Sequence, residues 1–374
     1  MAKVKLGDVA REYKSTVRDA EGLPIVGLEH LLSGEITLTQ WSDDTDTTFT
    51  KGFKKGQMLF GRRRAYLKKA AVAPFDGICS GDITVIEAIP EKLSPDLLPF
   101  IIQNDRLFDF AVEKSAGSLS PRVKWEHLQN YEFELPELPE QDRLVKLFWA
   151  MTRTKKAYQD LIKRTDELVK SQFIEMFGDP IENPRGWQKL QLHQLVSSDC
   201  TISYGIVKTG NDIEGGVPVF RPVDIVGREP TLAELKRTTP EISNQYKRSL
   251  LTGRDLLVTV RANIADTYIA GKEFKGCNVG RGIVPIRTDE SIIRLEFLKA
   301  QMDFDSINKY MKSLAKGITL IQLNMEDLRC VEFIIPPIDE QDRYIGVLQQ
   351  SDKSKFVVLQ ATISKILSII MKSL

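Results

Sequence analysis

Histidine is nearly missing from this chain. His30, His127 and His193 are the only three, far apart and without the spacing of a metal-ligand set. His30 in "GLEHLL" and His193 in "LQLHQL" read as solvated or packed residues. The four cysteines, Cys79, Cys200, Cys277 and Cys330, form no C-x-x-C pair, and the chain shows no signal-peptide pattern. They read as free thiols in a reducing cytoplasm. No apolar run approaches the roughly 18 residues that span a membrane. A G-x-x-x-x-G-K-[ST] phosphate loop and a G-x-S-x-G elbow are both absent. Pro95-Asp96 is not followed by an acid-x-lysine element at nuclease spacing. Asn183-Pro184 leads into Arg-Gly, not into the proline–aromatic pair of adenine methyltransferases. Nothing here argues for an autonomous enzyme. Excess charge is lacking too: 52 Lys+Arg against 51 Asp+Glu leave +1, so any affinity for nucleic acid must come from local patches.

What the chain does have is size and a repeat. Its 374 residues suggest two or three domains, and 42% hydrophobic residues can build cores. "LPEQDR" at 138–143 returns as "IDEQDR" at 338–343. Ungapped alignment of 117–143 with 317–343 makes 10 of 27 positions identical: Gly117/Gly317, Glu126/Glu326, Leu128/Leu328, Glu132/Glu332, Phe133/Phe333, Pro136/Pro336 and the Glu-Gln-Asp-Arg run. Apolar type continues beyond it at Val145/Ile345, Leu147/Val347 and Phe148/Leu348. A duplicated segment implies two similar halves, each a globular domain followed by a helical segment. "KKGQMLFGRRRA" (54–65) and "LTGRDLLVTVRA" (251–262) both read as a strand entering a basic turn. Cys79 and Cys277 are expected at matching places after them.

The segments after the repeat read as helices. Glu140 to Phe177 holds no glycine or proline, about 57 Å of helix at 1.5 Å per residue. Leu144, Phe148, Met151, Tyr158, Ile162 and Val169 form one apolar seam; Ile345, Leu348, Phe356, Leu359, Ile363, Ile366 and Ile370 form another. Helices of this length need a partner for the stripe, and the simplest is each other, antiparallel. Proline before Glu-Gln-Asp suits a helix start.

The basic clusters are the better functional signal. Residues 51–69 hold eight Lys/Arg and no acid. Lys54, Lys55, Arg62, Arg63, Arg64, Lys68 and Lys69, with Tyr66, are candidates for phosphates and base edges. The second half offers Arg254 and Arg261 at the matching place, and "ISYGIVKTGNDIEGGVPVFRPVDIVG" (202–227) adds Tyr204, Lys208 and Arg221. In the loose first-half counterpart of that stretch, Gly27 stands where Arg221 would be.

Domain, proline-EQ motif, long helix, then all three again: this order resembles the specificity subunit of type I restriction–modification systems across essentially the whole chain. The residues that carry it are "LPELPEQDRLVKLF", "IPPIDEQDRYIGVL", "YGIVKTGNDIEGGVPVFRPVDI" and the Gly56–Arg62 and Gly253–Arg261 elements. The resemblance implies an α+β fold, with target-recognition domains of mixed sheet and short helices at 1–134 and 186–334. Spacer regions at 135–185 and 335–374 would form a coiled coil of two long antiparallel helices, in a pseudo-two-fold repeat. Double-stranded DNA would be read as a bipartite, gapped site. Two methyltransferase subunits would dock at Glu140, Gln141, Asp142, Arg143, Glu340, Gln341, Asp342 and Arg343, and restriction/translocase subunits through them. The chain itself would hold no cofactor or metal, with S-adenosylmethionine, ATP and Mg in the partner subunits. Little sequence precedes "VKLGDVA", so the C-terminal helix would have to close any circular arrangement alone. A stand-alone DNA-binding protein and a helical-rod scaffold are the alternatives.

Overall fold

The computed structural model describes residues 2–17, 22–44, 47–117, 119–225, 229–317 and 321–371, with side chains in the last helix described at 338–355 and 359. The chain forms two compact units, Met1–Tyr158 with Ala361–Leu374, and Gln159–Gln360.

The first unit starts with β1 (Ala2–Lys5), a single turn α1 (Leu6–Val9) and β2 (Ala10–Glu12). Short strands follow: β3 (Ile25–Val26), β4 (Lys51–Phe53), β5 (Met58–Gly61), β6 (Ala70–Val72), β7 (Gly77–Cys79) and β8 (Ile83–Ala88). Helices α2 (Leu98–Ile102), α3 (Asp105–Glu113) and α4 (Trp125–Leu128), then β9 (Glu132–Leu135), lead into the long helix α5 (Leu138–Phe177), which both units share. The main sheet is ordered β2-β8-β5-β6, a second is β3-β7-β4, and β1 pairs with β9. Side chains alternate across a strand, so β5 feeds two cores. Met58 and Phe60 join Phe108, Leu107 and Ile102 beneath the helices. Leu59 joins Val26, Phe53 and Cys79 between the sheets.

The second unit repeats this. Its elements are β10 (Lys189–Gln191), β11 (Val217–Phe220), α6 (Pro222–Ile225), β12 (Lys236–Thr238), α7 (Pro240–Gln245), β13 (Asp255–Thr259), β14 (Thr267–Ala270), β15 (Asn278–Val279) and β16 (Ile283–Ile286). Then come α8 (Leu295–Met302), α9 (Asp305–Ser313), α10 (Met325–Arg329), β17 (Glu332–Ile334) and α11 (Ile338–Met371). The sheets are β14-β13-β16, β12-β11-β15 and β10-β17. The β5–β8 register, Met58↔Ile86 to Gly61↔Ile83, returns as Leu256↔Ile286 to Thr259↔Ile283. Leu256 and Val258 face one core and Leu257 the other, as in the first unit. The cysteines do not correspond. Cys79 pairs with Val26 where the second unit pairs Val279 with Phe220, so Cys277 lies two residues early. The reason is length: Met58 answers to Leu256 but Ile86 to Ile286, so the second unit carries two extra residues in between. Gly27 and Arg221, each following the strand residue that pairs there, do correspond. Cys79, Cys200 and Cys277 are buried free thiols and Cys330 is exposed.

In the second unit α5 and α11 run in opposite directions. Phe177 meets Tyr344 at 5.8 Å between ring centroids, while Asp166, earlier in α5, meets Lys355, later in α11, at 2.5 Å. Phe173, Phe177, Phe297 and Tyr344 form one buried aromatic cluster. Met151, Tyr158, Ile162 and Val169 are half-buried as the seam requires. On α11, Ile345 is buried and Leu348 packs on the core, but Leu359 is more than a third exposed. The seam positions Phe356, Ile363, Ile366 and Ile370 lie outside the described side chains.

The repeated Glu-Gln-Asp-Arg acts first as an internal joint. Gln141 accepts from the Ser94 amide at 2.8 Å and donates to the Lys92 and Pro136 carbonyls at 3.1 and 2.9 Å. Gln341 does the same with the Arg294 amide (2.9 Å) and the Ile292 and Pro336 carbonyls (3.2 and 2.9 Å). Both glutamines are buried, 1% and 0% exposed, so neither presents a surface to a partner and the expectation of docking fails for these two. Glu140–Arg143 and Glu340–Arg343 are exposed ion pairs one helical turn apart, at 3.6 and 3.1 Å, and Asp342 is held by Arg294 at 2.7 Å.

Gln141→Ala or Gln341→Ala strands one buried N–H and two carbonyls and should destabilise its unit by about 2 kcal/mol or more. Arg143→Ala, which removes a surface pair, should stay within about 0.5 kcal/mol. Urea unfolding of the full chain, followed unit by unit through its transitions, checks the contrast.

Candidate nucleic-acid interface

The central strand of each unit, β5 or β13, runs out into arginine, at 62–64 or 261, and a hairpin from far along the chain packs against that end. In the first unit the hairpin is closed by reciprocal backbone bonds between Ala116 and Arg122, at 3.0 and 2.9 Å. It is stitched to the strand end by Val123 N–H donating to the Arg62 carbonyl (2.9 Å) and Arg64 N–H donating to the Pro121 carbonyl (2.8 Å). In the second unit Lys316 and Gln322 exchange bonds at 2.9 Å, and Leu323 N–H donates to the Val260 carbonyl at 3.0 Å. Gly117 and Gly317 turn the hairpins with φ of 113° and 124°, in the region that favours glycine. Arg63 stands opposite Arg122, and Arg261 opposite Gln322. Arg63, not Arg62 or Arg64, is therefore the counterpart of Arg261. Arg64 and Ala262, the next residues, are both left-handed at φ 54° and 63°, a local strain of roughly 1–3 kcal/mol repeated at one place.

Asp82 organises the first-unit cluster. It takes Arg122 Nε and Nη2 at 2.7 and 3.2 Å, and Arg63 Nη1 approaches it at 3.5 Å. Arg63 Nε also donates to Ser120 Oγ. The hydrogen bond from Arg122, with the charges of Arg122, Arg63 and Arg62, holds the Asp82 carboxyl below the ordinary 3.8, although partial burial opposes this. Arg62 Nε is buried without a hydrogen-bond partner. At the hairpin tip Leu119 is 91% exposed. The second unit has Arg261 donating to Gln322 Oε1. Burial and the neighbouring Arg281 push the Arg261 guanidinium pKa down. Arg122, Asp82, Ser120, Arg281 and Gln322 were not singled out in the sequence; only the paired Gly117/Gly317 marked the hairpins.

The other candidates separate into groups. Lys54 and Lys55 precede β5 while Arg62–Arg64 follow it, about 13 Å away for four strand residues. Lys54 pairs with Asp76 at 2.8 Å, and the Lys55 amide donates to the same carboxylate. Lys68 pairs with Asp105 at 2.6 Å, and Lys69 donates to the Leu28 carbonyl at 2.7 Å. Arg64 and Tyr66 are exposed. Arg254, at the opposite end of β13 from Arg261, is tied to Glu290 and Glu296 at 3.4 and 3.0 Å. Arg221 is clamped by the fully buried Asp224 at 2.8 and 3.0 Å. Tyr204 packs against the core and Lys208 is exposed. The structure thus brings Arg62, Arg63 and Arg64 together with the hairpin, and commits Lys54, Lys68, Arg221 and Arg254 to acids. Among the described residues no group of His, Cys, Asp or Glu could hold a metal ion, and no helix is long and apolar enough to cross a membrane.

Comparison with known proteins bears on this geometry. Residues 184–368 match the family described as type I restriction modification DNA specificity domain. This stretch belongs to the type I restriction–modification specificity family. The specificity subunit of the type I restriction enzyme EcoBI from Escherichia coli is 26% identical over 218 residues, 58% of this chain and 44% of that protein. That of EcoDI, also from Escherichia coli, is 26% identical over 139 residues, 36% of this chain and 31% of that protein. The matches thus span less than half the length of these curated relatives. Among solved structures, the S subunit of the type I restriction–modification system of M. genitalium is 12% identical with a TM-score of 0.56, over 100% of this chain and 93% of that one. A chain from work on complex assembly and conformational transition of the type I R-M system is 22% identical with a TM-score of 0.51, over 100% and 95%. These likenesses show the fold, and the α+β expectation stands.

The Asp82 clamp makes a pH prediction. A carboxyl pKa lowered by folding contributes stability that is present above 3.8 and lost as pH falls through the lowered value. At neutral pH the clamp is fully charged. Arg122→Ala should move the Asp82 titration upward, toward 3.8, in a carbon-detected NMR titration; no movement would mean that Arg122 does not hold the carboxylate.

Proposed function

We propose that the chain is the DNA-recognition subunit of a type I restriction–modification complex and supplies no catalysis of its own. Each globular half, 1–134 and 186–334, reads one half of a gapped site in double-stranded DNA. The spacer helices set the gap and dock two methyltransferase subunits, through which restriction/translocase subunits join. S-adenosylmethionine, ATP and Mg belong to those partners. The observation that carries this reading is the repeated strand end and glycine hairpin: one framework, occurring twice, each time with arginine at the same place and different neighbours around it. Two unlike readers on one framework suit an asymmetric bipartite site. Arginine beside a hairpin suits base edges and phosphates. For docking, the exposed Asp142, Arg143, Asp342 and Arg343 and the half-buried Glu140 and Glu340 remain, since they surround the buried glutamines and recur in both joints.

The test is adenine-methylation mapping in cells carrying this chain with its methyltransferase partner, and in cells lacking the chain. A two-part, gapped methylated motif that depends on the chain supports the reading. Unchanged methylation with an active partner sinks it. Tight sequence-specific binding by the purified chain alone would favour a stand-alone DNA-binding protein. Removing one heptad from both α5 and α11 shortens each helix by about 10.5 Å, so the gap should contract by about three base pairs. An unaltered gap would end the ruler role of the helices.

A further inference from the structure

We propose that Arg63 and Arg122, held against Asp82, and their counterparts Arg261 and Gln322 are the side chains that set which base each unit selects. This deepens the DNA-recognition reading and rests on it. The two pairs occupy one cross-strand position, between the end of the central strand and the hairpin. Backbone around them is bonded the same way in both units, with Arg62 N–H donating to the Asp82 carbonyl and Val260 N–H to the Gly282 carbonyl, at 3.0 and 2.8 Å. Position 82 is thus the equivalent of position 282. Where the hairpin carries a second arginine, the facing strand carries the aspartate that lets two guanidiniums sit side by side. Where the hairpin carries Gln322, the facing residue is glycine. No side chain fits there, because a Cβ on Gly282 would lie 2.5 Å from Pro222 Cγ. Charge and shape have therefore changed together.

The geometry selects different hydrogen-bonding faces. Asp82 engages Arg122 through Nε and Nη2, at 2.7 and 3.2 Å, leaving the Nη1–Nη2 edge with two outward N–H groups. That edge matches guanine O6 and N7. Asp82 is only 19% exposed while Arg122 is 43% and Arg63 40% exposed, so the acid lies below and the guanidiniums above. Leu119, 91% exposed and next in sequence to the Ser120 that Arg63 engages, is an apolar group that can meet a thymine methyl. In the second unit Gln322 Oε1 is taken by Arg261, so its amide N–H groups remain to donate, and glycine at 282 replaces the carboxylate of Asp82. The first unit is assigned a guanine at this position. The second is assigned a different base-edge pattern.

The experiment maps the adenine-methylated motif made by the full chain with its methyltransferase partner, for the wild type, Asp82→Asn, Arg122→Gln and the double variant Asp82→Gly/Arg122→Gln, which rebuilds the second unit's constellation in the first. The expected result is a loss of guanine preference at one position of one half-site, roughly 5- to 150-fold, with the other half-site unchanged as an internal control. Asp82→Asn keeps an acceptor for Arg122 and should show a smaller loss than Arg122→Gln. Two results overturn the proposal: an unchanged motif in all variants, or an even weakening across all sequences, the signature of a phosphate contact. Loss of all methylation in all three variants with wild-type thermal melting also overturns it, since the pair would then serve binding and not choice. A misfolded single variant is recognised by melting, and the remaining variants then decide. If the wild-type chain itself supports no gapped motif, the DNA-recognition reading fails, an outcome distinct from these.

Discussion

One buried amide at the first turn of each long helix carries the joint on which both units depend. The glutamine accepts one backbone N–H and donates to two backbone carbonyls. Glutamate could accept but not donate, and leucine could do neither, so the chemistry demands an amide. All three partners are main-chain atoms, which leaves their side chains free: Ser94 faces Gln141 and Arg294 faces Gln341. The contact ties the loop before α2 or α8 to the proline turn after β9 or β17 and to the helix start. A globular fold and its helix thereby meet at a defined angle, twice, whatever loops decorate the fold. Around this pin the identical charges are incidental to the joint itself: Glu140–Arg143 and Glu340–Arg343 are screened surface pairs of little energetic weight.

The same division between backbone and side chain governs the strand ends. The bonded pairs Ala116–Arg122 and Lys316–Gln322 are positioned by main-chain bonds from Val123 to position 62 and from Leu323 to position 260. Side chains at 63, 82, 119 and 122 can change without disturbing that frame. This is how one fold holds two unlike surfaces in one chain. The strained left-handed residues Arg64 and Ala262 fit that account, since strain persists only where the surroundings over-determine it.

Much of the fold was legible in the sequence, because repeats and helix patterns are local signals. The duplicated 117–143 segment, the long run from Glu140 to Phe177 without glycine or proline and the matched strand–arginine turns were readable directly. The cysteine pairing was not, since two residues inserted between β13 and β16 shift the register while apolar strands still look alike. The burial of Gln141 and Gln341 was also hidden: four polar residues after a proline read as an exposed helix start, and only the loop at 92–94 or 292–294 covers them. The interface was half legible. Arg62–Arg64 stood out as a charge run, but Asp82 and Arg122 lie in ordinary-looking stretches that only the folded sheet and hairpin bring beside Arg63. Lys54, Lys68, Arg221 and Arg254 looked equally promising because an ion-paired cation and a free one have the same letter.

That pairing explains how a chain of net charge +1 can still present a strongly positive site. Lys54, Lys68 and Arg221 each have a carboxylate within about one ion-pair distance, and Arg254 has two. Their fields cancel locally. Around Asp82 three guanidiniums act on one carboxylate, and Arg261, whose pKa burial lowers first, has a second cation, Arg281, beside it. Positive charge is therefore in local surplus where the hairpins meet the strand ends. A polyanion is drawn by the local surplus rather than the sum. The acid that remains at the centre orients the arginines without neutralising them, which is what base selection asks of a charged side chain and phosphate attraction alone does not.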